Sequence, residues 1–571
     1  MEALYQLSYS PEVRKRMVAD CSSGPTSPTP SHGGFLPGHT VVMMRARLTS
    51  PDLWMVVSTV AVFAAGLIVA TATPGPLLTA DDLASFGLAW TMAGEGAAPM
   101  PPQAPYGLLY PATLVPGWLL GLDDGGMLLW ARSVNALCGA LMVPVLTAFL
   151  RRLDGVRPVP AIAAATAGAM MPAFLLTGSI AWSERLNVLL VACAALVIAR
   201  SWDERSGLDG FLAIITAAAM FAAHPRLGPP ALVLIVVVAF ALRRLGWARV
   251  VMVLGAGAAA LLAVEWIRAA VAEAAFGNDG TYDAADLASR RGLGLVPEMA
   301  QLGVGALSYL VIAGTGIAVW GVLRLGERRP AGWSVLLLGL AVLAITSWFI
   351  TGIPRADKWF HGRYIEVMAP VVLAVGLANL HRLRWRAAAV VLFGVPVLAG
   401  VYAAWNGPGN TWLTPRSPVM MLGAEVSGAP YGSRIFEPGA AAFVAILAGL
   451  VVWGAARWRG TEIAACLFVA LSLWGAHSGD RVLDNLFPGT AMGEVDAGFP
   501  IEEEIGELWV DTSRVSPNLT NALAWRVGFD ATTLTVTQHT THWLIPPDAE
   551  SPAGAELVAQ FSQGSLWRVA G

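Results

Sequence analysis

Charge is what this chain has least of. Only 13% of its 571 residues are Asp, Glu, Lys or Arg, against about a quarter in soluble domains, which excludes an ordinary soluble globular protein. Lysine is nearly missing, with only Lys15 and Lys358. The stretch from Arg47 to Arg132 contains no basic residue between its ends. Of the four cysteines, Cys21 lies near the N-terminus and Cys138, Cys193 and Cys466 lie in apolar segments, so no disulfide framework is expected. There is no P-loop run and no His/Cys metal spacing, and no soluble nucleotide-sugar domain precedes the apolar part. A formal net charge of −3 says little beside its distribution along the chain, and no nucleic-acid partner is expected.

What is abundant is apolar length. The chain is 56% hydrophobic with a mean hydropathy of +0.61, and many windows of about 20 apolar residues match a hydrocarbon core of ~30 Å. An all-α polytopic membrane protein follows. Thirteen spans are expected near 53–71, 128–150, 159–177, 182–199, 209–223, 228–242, 249–270, 303–323, 332–352, 364–380, 387–405, 439–456 and 461–477. The segment Tyr106 to Leu120 is apolar but short and carries Pro111 and Pro116. It is read as a helix along the outer surface or partly re-entrant.

Three regions follow: a disordered cytoplasmic tail over 1–50, rich in Ser, Pro and Gly from Ser22 to His39; a transmembrane domain over 51–477 with a first outer loop at 72–127; and a small soluble α/β domain over 478–571. Strands are expected at Leu508–Asp511, Thr533–Thr537, Trp543–Ile545 and Ser565–Val569. With the N-terminus inside, the inner loops carry Arg151, Arg152, Arg157, Arg243, Arg244, Arg249, Arg324, Arg328, Arg382, Arg384, Arg386, Arg457 and Arg459. That is the positive-inside bias, and it places the first outer loop and the C-terminal domain on the extracytoplasmic side. The Arg- and Ala-heavy composition suits a bacterial plasma membrane.

The acids and the exceptions to the charge bias carry the chemistry. Asp81 and Asp82 follow the first span directly, and a paired acid at a membrane mouth is costly to keep idle. A structural role is open to Asp82, which with Thr79 has capping-box spacing. Asp123-Asp124 before two glycines reads as a turn. Glu184 opens the fourth span; it is suited to orienting an acceptor or helping to position the base, or else Ser183 caps that helix and Glu184 is a favourable first-turn charge. His224-Pro225-Arg226 lies at an outer turn and suits a phosphate or lipid headgroups. Arg355, Lys358, His361 and Arg363 form the strongest basic cluster on the outer side, against the bias; phosphate binding suits them, with interfacial snorkelling the alternative. A divalent cation is compatible with Asp81, Glu184 and His224 if their loops converge.

In order along the chain, four local patterns stand out. They are Asp81-Asp82; Pro105-Tyr106-Gly107-Leu108-Leu109-Tyr110-Pro111 followed by Arg132; Ser183-Glu184; and His361-Gly362-Arg363-Tyr364 through Pro370. Together they resemble the GT-C membrane glycosyltransferases, in particular the lipid A aminoarabinose transferase and protein O-mannosyltransferase group. The resemblance covers nearly the whole chain. It implies an inverting transfer from a polyprenyl-phosphate-linked sugar to a glycan, lipid or protein acceptor at the outer membrane face. Under it Asp81, Asp82 and Glu184 are the catalytic acids. Arg355, Lys358, His361, Arg363, His224 and Arg226 hold the donor phosphate, and Tyr106, Tyr110 and Tyr364 wall the cavity. Where that group has Asp-Glu, this chain has Asp-Asp, so which acid is the base stays open on the resemblance. General-base chemistry needs one carboxylate near the attacking hydroxyl, and Asp81 is the candidate because a cap does not account for it. Two readings from other classes remain: a transporter or flippase of lipid-linked sugars, and a non-catalytic envelope assembly protein. Transporters tend to carry internal repeats and mid-membrane acids; here the candidate acids cluster at one face and no repeat is evident.

Overall fold

The computed structural model describes residues 50–72, 80–94, 96, 107–204, 206–276, 295–328, 330–352, 362, 364–406, 438–486, 508–510, 519, 523, 532–533, 540–552, 554–562 and 564–569. The chain is an all-α polytopic membrane protein with a small C-terminal sheet. Among the described residues, nine helices are long and apolar enough to cross a bilayer, and three shorter apolar helices accompany them.

In chain order the helices are α1 (Pro51–Ala72), α2 (Ala80–Ala93), α3 (Leu109–Leu119), α4 (Asp124–Asp154), α5 (Pro158–Ala169), α6 (Pro172–Thr177), α7 (Glu184–Asp203), α8 (Gly207–Ala223), α9 (Gly228–Ala241) and α10 (Trp247–Phe276). They continue with α11 (Val296–Ala313), α12 (Ile317–Glu327), α13 (Ala331–Ile350), α14 (Ala369–Asn379), α15 (Trp385–Asn406), α16 (Pro438–Arg459) and α17 (Thr461–Leu486). α3 is 11 residues long, about 16 Å at 1.5 Å per residue, too short to cross, as expected for the Tyr106–Leu120 segment.

Two expected spans are each built from two helices. The run 159–177 breaks after Met170, where Pro172 begins α6. The run 303–323 breaks at Gly314-Thr315-Gly316, where Thr315 and Gly316 take φ of 52° and 72°. At Gly316 a Cβ would come within 2.6 Å of the Val391 carbonyl oxygen, so the break doubles as a close helix approach. α12 and α14 cross through small residues: a Cβ on Gly321 would overlap the Val372 carbonyl, and one on Gly376 would overlap that of Ile317. Small residues at a crossing let two backbones approach where lipid supplies no hydrophobic drive. Large apolar side chains such as Ile68, Val251, Leu262 and Leu398 face outward, as a bundle solvated by hydrocarbon requires.

The helix ends sort by charge. One end collects ion pairs: Arg152 with Glu204 at 2.5 Å, Arg200 with Asp209 at 2.6 Å and with Glu204 at 2.8 Å, and Arg328 with Asp154. The other end carries α2, α3 and the sheet. There a second apolar core joins Phe86, Ala89, Tyr110, Leu114 and Met127 to Leu508, Leu544 and Leu566.

The sheet has five strands, β1 (Leu508–Val510), β2 (Thr532–Thr533), β3 (His542–Ile545), β4 (Glu556–Phe561) and β5 (Gly564–Arg568), in the order β2-β1-β3-β5-β4. β1 runs parallel to β2 and β3, with Leu508 opposite His542, and β5 pairs antiparallel with β3 and β4. β4 is absent from the sequence reading, because Glu-Leu-Val-Ala-Gln-Phe mixes helix formers with only partial alternation; its pairing with β5 decides it.

Candidate active site

α2 is tied to the helices that follow it. The Trp118 indole Nε1 donates to the Phe86 carbonyl (3.4 Å), and Trp90 meets Trp118 edge-on at 5.0 Å. Trp130 Nε1 donates to the Thr113 carbonyl (3.0 Å), fastening α3 to α4. The start of α3 docks on the end of α8, where the Leu108 amide donates to the Ala222 carbonyl (2.7 Å). Beside it Gly107 lies against the Ala223 carbonyl so closely that a Cβ would overlap it. Both partners are backbone, so neither can swing away. Gly107→Ala is therefore expected to cost about 1–3 kcal/mol, the usual range for overpacking, read as a lowered melting temperature. An unchanged melting temperature would show that this contact does not form.

These ties build a recess of about 250 Å³ lined by Ala84, Ser85 and Leu88 of α2, Gly107, Tyr110 and Pro111, Ser183 and Ala223. Tyr110 is fully buried there.

One residue on from Ser183 and Ala223, Glu184 and His224 line a neighbouring cleft. Its empty space is about 360 Å³, and Asn187, Arg226, Thr346 and Tyr364 also line it. The approach to Glu184 is pinned from α4: Arg132 Nε donates to the Ser179 carbonyl (3.3 Å) and Asn135 Nδ2 to that of Ile180 (2.8 Å). Ser183 makes no side-chain cap; its hydroxyl accepts from Asn187 Nδ2 (3.1 Å). Glu184 is 6% exposed, so a solvated first-turn acid does not describe it. Asp123, by contrast, caps α4 by accepting from the Gly126 amide (2.8 Å).

His224 Nδ1 accepts the Arg226 amide at 3.1 Å. A neutral ring in that bond carries its proton on Nε2. The Arg226 guanidinium carbon lies 3.5 Å from the Tyr364 ring centroid and 4.3 Å from that of Phe349. Held over two aromatic faces, this cation keeps its donors in a fixed plane, the geometry that suits bidentate recognition of a phosphate. Tyr364 is itself set by the turn before it. Gly362 lies flat on the Tyr309 ring with no room for a Cβ, and the buried Tyr309 hydroxyl donates to Glu366.

The structure thus gathers the acid-pair helix, Tyr110, Glu184, His224, Arg226 and Tyr364 at one end of the bundle. Tyr106, Arg355, Lys358, His361 and Arg363 lie outside the described residues, as do the side chains of Asp81 and Asp82. Phe349, Thr346, Asn187 and the Tyr309–Glu366 pair were missed in sequence. Only Glu366, an acid inside an apolar span, carried a signal for it. Glu184 and His224 share the cleft, but among the described residues no three His, Cys, Asp or Glu side chains come together as a metal set.

No family model matches this chain, and no curated protein matches it significantly. Its fold is the GT-C fold of membrane glycosyltransferases. Among solved structures it is similar to ArnT from Cupriavidus metallidurans bound to undecaprenyl phosphate, with TM-score 0.54, 14% identity and coverage of 90% of this chain and 97% of that one. The same protein in the apo state gives TM-score 0.53 over 90% and 98% of the two chains, again at 14% identity. The arabinosyltransferase EmbB from Mycobacterium smegmatis matches over 90% of this chain and 45% of that one, at 16% identity and TM-score 0.40.

Proposed function

We propose that the protein is an inverting glycosyltransferase that moves a sugar from a polyprenyl phosphate to a hydroxyl of an envelope glycan, lipid or protein, on the extracytoplasmic face of a bacterial plasma membrane. The observation that carries this reading is the Arg226 cation, fixed between Tyr364 and Phe349 in a cleft with His224 and Glu184. The likeness of fold to ArnT, whose structure holds undecaprenyl phosphate, supports it.

In the proposed reaction the acceptor oxygen attacks the anomeric carbon from the side opposite the phosphate. The new carbon–oxygen bond forms as the bond to the phosphate oxygen breaks, and polyprenyl phosphate leaves with the electron pair. Asp81 takes the hydroxyl proton, a task for a positioned carboxylate. Asp82 serves the start of α2, and Glu184 orients the acceptor. Arg226 and His224, together with Arg355, Lys358, His361 and Arg363, stabilise the phosphate charge that grows in the transition state. Tyr106, Tyr110 and Tyr364 wall the sugar site.

The purified protein is incubated with radiolabelled polyprenyl-phosphate pentoses and hexoses and a membrane extract, and the product is digested and analysed by NMR. Labelled sugar in the acceptor with the opposite anomeric configuration to the donor is expected. Retained configuration would remove the single-displacement step from the account.

A further inference from the structure

At the arginine-rich end of the bundle, opposite the proposed active site, lies a cavity with about 930 Å³ of empty space. It opens where α4 turns into α5, α14 ends, and α16 turns into α17. Arg157, His381, Arg382 and Arg457 line it, against the acids Asp154 and Glu462. Asp154 is already matched. It pairs with Arg328 and accepts from Asn379 Nδ2 at 2.8 Å, and its side chain is 1% exposed. That polar floor leaves Glu462 alone against three guanidinium groups. Arg457 also donates to the His381 carbonyl at 3.1 Å, which fixes its stem across the pocket wall. Partial burial, then the positive field of Arg382, Arg457, Arg157 and Arg324, pushes the His381 pKa below its ordinary value. Among the described lining residues, three arginines face one unmatched carboxylate, so the cavity is electropositive.

Two indole–arginine pairs flank the mouth. Trp385 and Trp458, both strongly exposed, stand at the flanking helix ends, with Arg386 and Arg459 stacked on their rings at 5.2 and 4.1 Å. Indole with arginine at a helix end marks the interface between hydrocarbon and water. Arginine snorkelling alone explains neither the cavity nor the convergence of three guanidinium groups from three different turns on it.

We infer that this cavity is a second anion site, distinct from the donor cleft, that takes a phosphate group at the membrane surface. The headgroup of an anionic phospholipid and a free phosphate ester share that chemistry. Basic pockets between helices on the cytoplasmic side suit lipid headgroups in general.

The test uses the full chain, purified in detergent. Native mass spectrometry follows the retention of added phosphatidylglycerol against phosphatidylcholine. Melting temperatures with millimolar inorganic phosphate or glycerol phosphate report the soluble arm. Wild-type protein is expected to retain phosphatidylglycerol preferentially. Arg157→Gln with Arg457→Gln should weaken that retention roughly tenfold or more, from about 1 kcal/mol per basic residue near the surface. Arg226→Gln, at the opposite end, should leave it intact, which separates this site from the donor cleft. A phosphate-dependent rise in melting temperature that the double variant loses, without lipid preference, would make the ligand a free phosphate. Equal retention by wild type and double variant with no such rise, or retention lost in Arg226→Gln instead, overturns the proposal. If the double variant does not purify, Arg382→Gln, on an exposed turn, is judged by the same criteria.

Discussion

Asp81→Asn is expected to lower turnover by ~10²–10⁴-fold, the range of general-base effects, while donor binding stays near wild type. The substitution keeps shape and removes basicity. If Asp81 is the proposed base, the loss falls on turnover and not on donor binding. Asp82→Asn should mainly weaken the start of α2, by on the order of 1 kcal/mol, with turnover largely kept. Since the two acids are adjacent in sequence, the pair of variants is the direct comparison. A dead Asp82→Asn beside an active Asp81→Asn would reverse the assignment of the base.

The second large effect is expected at Arg226. Hydrogen bonds to a charged group are worth about 1.5–3 kcal/mol, so Arg226→Gln should weaken the donor interaction by roughly 10–150-fold, with kcat falling as phosphate charge goes unmatched. Arg226→Lys keeps the charge but gives up the planar fork held between Tyr364 and Phe349. It should recover only part of the loss. Titration of binding and turnover with a polyprenyl-phosphate sugar reads both. Full activity in Arg226→Gln would move the phosphate away from this cleft.

Much of the frame was legible because each apolar run reports its own solvent. α1, α4, α10, α13 and α16 begin and end close to the hydropathy boundaries, and the arginine turns gather at one end of the bundle. The breaks were not legible. Gly314 to Gly316 sits in an unbroken apolar run, and only the approach of Val391 shows why the chain must bend there. Strand β4 was missed for a similar reason, since its pairing partner and not its propensity sets its conformation.

The same distinction runs through the site. Glu184, His224 and Arg226 announce themselves as polar groups at helix ends. Phe349 is one apolar residue among many at the end of α13, and nothing local marks it as half of the arginine clamp. Gly107 and Gly362 were noted for their motifs, yet their reason is steric: the Ala223 carbonyl for one and the Tyr309 ring for the other. Such facts belong to pairs far apart in sequence and do not exist until the chain is folded.

The central claim is a chemical step and not a passage across the membrane. In detergent there is no second compartment, so transport has nothing to act on. Purified protein given a polyprenyl-phosphate sugar and an acceptor fraction should release polyprenyl phosphate in step with sugar appearing in the acceptor. Protein that binds the donor but releases no polyprenyl phosphate with any acceptor fraction would contradict the account and favour a carrier of lipid-linked sugars.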